Sequence, residues 1–231
     1  MVADVPAQPG PSAVESFRAA GGGTLKSLWI ACTNPAQSMP ELAAVHAALA
    51  RCDFVVLQDA YRSTETAAYA DLLLPAATWG EKDGSVTNSE RRISRVRAAV
   101  AAPGQAWADW RIVTEVARRV QPLLPTRAHL PSLFPYDGPE AIWNEHREST
   151  RGRDLDITGL SWAQLEAAPQ QWPCPEGQAQ GSARLYTDGR FATPDGRARF
   201  VLPQPGTVAE PTDARYPFAL NTGRLRDQWH G

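Results

Sequence analysis

Three short apolar runs near the start of the chain constrain the fold most. The runs LKSLWIAC, DFVVLQDA and DLLLPAA each end at polar residues or at proline, as buried strands do. Between the first two runs, PELAAVHAALARC places Leu42, Val45 and Leu49 on one face of a helix. Before the third run, Ser63 or Thr64 can cap a short helix. Apolar strands that alternate with helices indicate a parallel sheet with helices on both faces, so we predict an α/β fold of this kind.

Later segments predict other elements. The stretch WGEKDGSVTNSERRISRVRAAV joins a glycine-containing loop to an alternating, Arg-rich segment, which favours a hairpin or extended strand over a helix. The stretch AWADWRIVTEVARRVQPLL predicts an amphipathic helix that ends at Pro122. After it comes an irregular region with short helices at PEAIWNEHRES and SWAQLEA. The segments GRARFVLP and YPFALNTGR indicate strands that open a further domain.

A chain of 231 residues has room for one large domain or one and a half smaller ones. The predicted boundaries are a linker or helix from a preceding domain over 1–24, an α/β domain over 25–125, an irregular connector over 126–203 and the start of a further domain over 204–231.

Composition excludes several classes of function. The formal net charge of −2 gives no basic field for nucleic acid or an anionic membrane surface. The sequence contains no run of 18 apolar residues, so no membrane span is predicted. The cysteines Cys32, Cys52 and Cys174 form no C-x-x-C pair, so neither a metal site nor a disulfide framework is predicted.

Polar residues follow each predicted strand, and in an open parallel sheet ligands bind at that edge. The candidates are Thr33, Asn34 and Gln37 after the first run, Gln58 and Asp59 after the second, and the loop from Glu81 to Gly84 after the third.

Three of these residues each have two possible roles, one in ligand binding and one that is only structural or solvent-exposed. Asp59 can accept hydrogen bonds from ribose hydroxyls or from the donor edge of a base such as guanine, or it can cap the following turn. Lys82 can neutralise a phosphate or be a solvated surface lysine. Asn34 can contact a ligand or form a local turn before Pro35.

Other motifs narrow the class of site. The glycines Gly21–Gly23 precede the first strand, whereas a phosphate-binding glycine loop follows its strand, so an NAD-type site is disfavoured. The Arg-rich strip is either a solvated face or a ligand surface; its members are Arg91, Arg92, Arg95 and Arg97. The final motif NTGRLRDQWHG contains two arginines, an aspartate and a histidine close together, as residues of a binding site often are. The residues alone therefore support a nucleotide-binding α/β domain.

Three segments together resemble the molybdopterin oxidoreductases of the dimethyl sulfoxide reductase family. They are WIACTNPAQSMPE, QDAYRSTETAAYADLLLPAATWGEKDGSVTNSERRISRVR and NTGRLRDQWHG. The motif ADLLLPAATWGEKDGSVTNSERR is specific to the superfamily, and CTNPAQSMP narrows the resemblance to catalytic subunits of bacterial assimilatory nitrate reductases. This resemblance implies a Rossmann-like domain that grips bis(molybdopterin guanine dinucleotide), with Asp59 reading the guanine. The implied cofactor contacts are Asn34, Gln58, Asp59, Lys82, Asp109, Thr222, Gly223, Arg224 and His230.

The resemblance also implies an internal fragment of a longer enzyme. Members of the family carry a 4Fe-4S cluster, a molybdenum ligand and a C-terminal barrel, and we expect only the first strand of that barrel here. The catalytic residues are therefore unknown, no metal ligand is predicted in the chain, and it is not expected to turn over alone. The implied setting is cytoplasmic, with nitrate as substrate and an electron-donor protein or domain as partner. A formate dehydrogenase-type subunit and a non-catalytic nucleotide- or pterin-binding module are the alternatives.

Overall fold

The fold was analysed in a computed structural model, which describes residues 8–204, 206–208 and 210–220. The chain divides into two units, Met1–Ala183 and Arg184–Gly231, which are taken in turn.

A parallel sheet forms the centre of the first unit. Its strands are β1 (Ser27–Ala31), β2 (Phe54–Asp59) and β3 (Leu72–Pro75), in the order β1-β2-β3. The register aligns Ala31 with Gln58 and Asp59 with Pro75, so the strands end close to the same line. These are the three apolar runs predicted from the sequence, and the parallel α/β arrangement is confirmed.

One face of this sheet carries a hydrophobic core. Helices α1 (Ala13–Gly21) and α3 (Leu42–Arg51) pack against each other there, and α2 (Pro35–Ser38) joins β1 to α3. The buried core residues come from strands and helices alike: Ile30, Ala36, Val45, Leu49, Val55 and Leu57. A 3-10 helix, Glu65–Tyr69, connects β2 to β3 where a short helix was predicted, but the Thr64 side chain at its N-cap makes no capping hydrogen bond.

The opposite side of the sheet is reached by helix α4 (Asp109–Val120). Side chains alternate along a strand, so Gln58 points away from the face that holds Leu57, and there it contacts Asp109 at the start of α4. Trp107 extends the sheet beyond β3, because its N–H donates to the Pro75 carbonyl and its carbonyl accepts from the Ala77 N–H. Helices therefore lie on both faces, as predicted.

The Arg-rich segment forms the predicted hairpin. Strands β4 (Gly84–Thr87) and β5 (Arg92–Val96) are antiparallel, and the short β6 (Gln170–Gln171) pairs with β5. The two predicted helices also form, as α5 (Pro139–Ser149) and α6 (Trp162–Ala167).

These elements enclose a second hydrophobic core, which consists of Ile93, Trp143, Ile157, Leu160, Leu165 and Cys174. Much of the region expected to be an irregular connector is thus packed around a core of its own.

Turns dominate the described part of the second unit. The Phe191 N–H donates to the Gly196 carbonyl, and the Tyr186 and Phe191 rings stack with centroids 4.5 Å apart. The segments 196–203 and 216–224 were predicted as strands, but over 184–204, 206–208 and 210–220 no strand forms and no barrel closes. A strand requires a paired neighbour to satisfy its backbone groups, and these apolar segments have none there.

No helix in the described ranges is long and apolar enough to cross a membrane.

Candidate functional site

The ends of the parallel strands bring the polar candidates to one border of the sheet, which we call the carboxyl edge. It comprises the last residues of β2 and the residues that follow β1, β3 and Trp107, and its candidate side chains are Cys32, Asn34, Gln58, Asp59, Lys82 and Asp109. Lys82 reaches this border because the 3-10 helix Trp79–Glu81 directly precedes it. That helix is held by a reciprocal capping box between Thr78 and Glu81.

Asp109 is the centre of the carboxyl edge. Its Oδ2 accepts from Lys82 Nζ at 2.6 Å, and its Oδ1 accepts from Gln58 Nε2 at 2.8 Å. The Cys32 thiol donates to the same Oδ1 at 3.6 Å. One carboxylate therefore joins the end of β2 to the segments that follow β1 and β3. Lys82 and Asp109 are 23% and 30% exposed, so this ion pair is partly shielded from water.

The protonation states of the pair follow from these contacts. Burial disfavours the charged form of Asp109, but hydrogen bonds from Lys82 and Gln58 outweigh it and hold the pKa below its ordinary value. The pKa of the Cys32 thiol is raised, first by burial and then by the negative charge of Asp109. At neutral pH Asp109 is therefore a carboxylate, beside a protonated Cys32 thiol.

Gln58 and Cys32 show the tight local geometry of this border. Gln58 is 1% exposed, and its Oε1 has no hydrogen-bond partner among the described residues. Such an unused buried acceptor is unusual in a folded protein. Cys32 has a φ of 58°, a left-handed conformation that is uncommon for a residue other than glycine and that clusters at functional sites.

Asn34 joins two segments of the first unit through its side-chain amide. Its Oδ1 accepts from the Thr66 N–H at 3.1 Å and from Thr66 Oγ1 at 2.7 Å, and its Nδ2 donates to Glu65 at 2.5 Å and to Gln37 at 3.2 Å. The amide thus joins the start of α2 to the 3-10 helix after β2. The Ala36 N–H donates to Thr66 Oγ1 and not to the Asn34 side chain, so the predicted local turn does not form, and contact of Asn34 with a ligand stays a prediction.

Asp59 makes the turn contact that was one of its two predicted roles, and its role in ligand binding stays a prediction. Its Oδ1 accepts from the Tyr61 N–H at 2.9 Å, which is the turn-capping contact. Its Oδ2 makes no hydrogen bond within the described residues, and the side chain is half-buried at the open border. One oxygen shapes the loop and the other is available to a ligand.

A solvated surface was one of two interpretations left open for Lys82 and for the arginine strip, and Lys82, Arg91 and Arg95 instead make contacts within the protein. Lys82 pairs with Asp109 and lies 5.4 Å from the centre of the Trp79 ring. Arg91 donates to the carbonyls of Trp172, Ser182 and Ala183. These arginine contacts stabilise the hairpin region.

Arg95 and Arg97 share Glu166 as an ion-pair partner. Arg92, by contrast, has a single long contact to Glu90 at 3.9 Å and remains exposed. The strip is therefore mainly structural and does not belong to the carboxyl edge.

Part of the predicted site lies outside the described residues, namely Thr222, Gly223, Arg224 and His230. Within the described ranges no group of three or more metal-ligating side chains converges. Sequence reasoning missed Cys32, Thr66 and Glu65. Only Cys32 had a usable signal, because it directly follows the first apolar run.

Comparison with known proteins identifies the family. The family model for molybdopterin oxidoreductases matches residues 1–119, a range that includes the whole carboxyl edge. The chain is 43% identical over 96% of its length to a nitrate reductase of Synechocystis and covers 31% of that protein. It is 41% identical over 96% of its length to a nitrate reductase of Klebsiella oxytoca and covers 25% of that protein.

Two further comparisons bear on function and fold. An F420-dependent formate dehydrogenase subunit alpha of Methanocaldococcus jannaschii is 37% identical over 90% of the chain, which covers 29% of that subunit. The structure of acetylene hydratase from Pelobacter acetylenicus matches with a TM-score of 0.55 at 20% identity, over 80% of this chain and 23% of that one, and this likeness concerns the fold alone. The chain thus spans about a quarter to a third of the curated relatives it matches. On its family match and its α/β fold, it belongs to the molybdopterin oxidoreductase family.

Proposed function

We propose that this chain is the part of a nitrate-reducing molybdenum enzyme that holds one guanine nucleotide end of bis(molybdopterin guanine dinucleotide). One observation carries the proposal: the carboxyl edge places an available carboxylate oxygen on Asp59 near a shielded Lys82–Asp109 pair, in a chain 43% identical to a nitrate reductase. The Asp59 carboxylate suits the guanosine, and Lys82 of the ion pair suits the phosphates.

The chemistry of the edge fits such a ligand. A guanine presents adjacent N–H donors, which a carboxylate such as Asp59 can accept together. Lys82 has three N–H donors and uses one of them on Asp109, so the others remain for phosphate oxygens. The unpartnered Oε1 of Gln58 marks a further acceptor at the same border.

Each residue then has a proposed role in binding. Asp59 reads the guanine, and Lys82 neutralises a phosphate as a point charge. Asp109 and Gln58 hold Lys82 at the border and line the site, and Asn34 fixes the loop after β1. The further contacts from Thr222, Gly223, Arg224 and His230 are proposed on the family resemblance.

The reaction proposed for the whole enzyme is the conversion of nitrate, two electrons and two protons to nitrite and water. When bound, the molybdenum cofactor supplies the redox chemistry, while the residues of this chain bind and orient it. A 4Fe-4S cluster and an electron-donor protein or domain elsewhere in the enzyme are part of the proposal, as is a cytoplasmic location. The residues described here account for retention of the dinucleotide.

A formate dehydrogenase is the second candidate, because the formate dehydrogenase subunit is 37% identical to this chain. The gene product that carries the chain can be produced with its molybdenum cofactor and assayed in parallel. Nitrite formation from nitrate with an artificial electron donor is expected. Formate oxidation without nitrite formation would replace the proposed reaction by the alternative.

Retention of the cofactor tests the role of Asp59 separately from turnover. We expect Asp59→Ala to lower the molybdenum and bound guanine nucleotide that copurify with the enzyme. Asp53→Ala is the matched control, because Asp53 lies just before the opposite end of β2 and is exposed. Equal cofactor content in both variants and the unaltered enzyme would contradict the role of Asp59.

A further inference from the structure

Two exposed aromatic side chains flank the polar groups of the carboxyl edge. Tyr61 is 68% exposed and Trp79 is 63% exposed. Tyr61 is tied to Asp59, because its N–H donates to Asp59 Oδ1 at 2.9 Å. Trp79 is tied to Lys82, whose Nζ lies 5.4 Å from the centre of its ring. Asp59 and Lys82, the two groups proposed to contact the base and the phosphate, therefore each have an aromatic residue nearby.

The two rings contribute little to the packing of the described residues. No contact between either ring and another aromatic ring is found in the part of the chain described, and neither belongs to either hydrophobic core. Their backbones, however, are fixed. Tyr61 lies in the turn that Asp59 closes, and Trp79 begins a 3-10 helix with a complete capping box. Two large rings are thus carried on fixed backbone and left open to solvent.

Their position on adjacent segments strengthens the case. Asp59 pairs in register with Pro75, so the loop that carries Tyr61 and the loop that carries Trp79 leave the sheet from neighbouring strand ends. Rings held at such a border present flat apolar faces to a planar ligand. Stacking between a base and an aromatic ring tolerates any base, so the rings would add affinity while hydrogen bonds give specificity.

We propose that Tyr61 and Trp79 are stacking residues that bind the planar guanine of the dinucleotide. The inference rests on the proposed function, because Asp59 and Lys82 define where the nucleotide lies. It assigns the two rings a ligand role that their contacts within the protein do not explain.

The test measures binding of guanosine 5′-diphosphate to the purified 231-residue chain by calorimetry. We expect Tyr61→Leu and Trp79→Leu each to weaken binding about five- to 150-fold, the range for loss of one base–aromatic stack. Tyr61→Phe and Trp79→Phe keep a ring and are expected to bind nearly as the unaltered chain does. Phe54→Leu is the control, since Phe54 is 44% exposed at the opposite end of β2.

A second ligand separates stacking from an indirect effect through Lys82. Guanosine lacks phosphates, so loss of stacking weakens guanosine and guanosine 5′-diphosphate by the same factor. If Trp79 acted only by positioning Lys82, Trp79→Leu would weaken the diphosphate alone, and the stacking role of Trp79 would be overturned. Circular dichroism of each variant establishes that it is folded.

The outcomes also separate this inference from the proposed function. If the unaltered chain binds the diphosphate and the leucine variants bind it equally well, the stacking role is wrong while the nucleotide site stands. If the unaltered chain binds no guanosine 5′-diphosphate, the proposed function fails, and the stacking role fails with it.

Discussion

Replacing Asp109 by asparagine tests the centre of the carboxyl edge directly. The substitution keeps the size of the side chain and its capacity to accept from Gln58, but it removes the charge that faces Lys82 at 2.6 Å. We expect the free energy of unfolding to fall, because Lys82 is only 23% exposed and loses its counter-charge.

The magnitude follows from the partial burial of the pair. Exposed ion pairs contribute about 0–1 kcal/mol, whereas a hydrogen bond to a charged group contributes about 1.5–3 kcal/mol. A pair that is about three-quarters shielded should lie between these limits, so we expect Asp109→Asn to cost about 1.5 kcal/mol. For a chain of this size that corresponds to a fall of about 3–6 °C in Tm.

The pH dependence gives a sharper signature than the magnitude. The pKa of Asp109 is lower in the folded chain than its ordinary value of 3.8, so its contribution is present above that value and is lost as the pH falls through the folded pKa. Other carboxylates also lose stability in acid, but they do so in both proteins. The difference between the unaltered chain and Asp109→Asn should therefore shrink below about pH 3.8.

Urea unfolding of both proteins at pH 7, 5, 4 and 3 measures this difference. Asp154→Asn removes the same charge from an exposed side chain and should be within about 0.5 kcal/mol of the unaltered chain at every pH. A difference for Asp109→Asn that stays constant from pH 7 to pH 3 would refute the reasoning, since the charge on Asp109 would then contribute nothing.

Three further predictions concern the surroundings of the edge and the hairpin. Thr66→Val should lower the free energy of unfolding by about 1–3 kcal/mol, because the buried Thr66 hydroxyl donates to Asn34 and accepts from the Ala36 N–H. Urea unfolding measures this with Thr64→Val as the control, and a cost below about 0.5 kcal/mol would contradict it. Arg95→Ala should lower the free energy of unfolding by about 2–4 kcal/mol, since the Arg95 side chain is 8% exposed and lies 3.8 Å from the centre of the Trp162 ring. In thermal unfolding the control Arg92→Ala, at an exposed side chain, should cost little, and equal effects of the two variants would contradict a structural role for Arg95. Cys32 should react slowly with a disulfide reagent at pH 7 because its pKa is raised, and Asp109→Asn should speed that reaction; an unchanged rate would show that Asp109 does not act on the thiol.

The sheet could be predicted from the sequence because its determinants are local. Each apolar run carries its own stop signal, such as Pro75, and the helical spacing of Leu42, Val45 and Leu49 is visible within one segment. The rule that ligands bind at the carboxyl ends of parallel strands then placed Gln58 and Asp59 correctly at that edge.

The contacts that define the site could not be predicted in the same way. The hydrogen bond from Gln58 to Asp109 joins residues 51 positions apart, and that from Lys82 to Asp109 joins residues 27 apart. No spacing pattern shows that these side chains meet. The second core is likewise assembled from residues as distant as Ile93 and Cys174, so its region resembled an irregular connector in the sequence.

Binding of guanosine 5′-diphosphate at the carboxyl edge tests the central proposal most directly. In a titration of the ¹⁵N-labelled chain followed by NMR, we expect the largest shifts at Cys32, Asp59, Tyr61, Lys82 and Asp109. Inosine 5′-diphosphate lacks the 2-amino donor of guanine and should bind more weakly, and Asp59→Asn should reduce that difference. No binding, or shifts confined to residues away from this edge, would contradict the account.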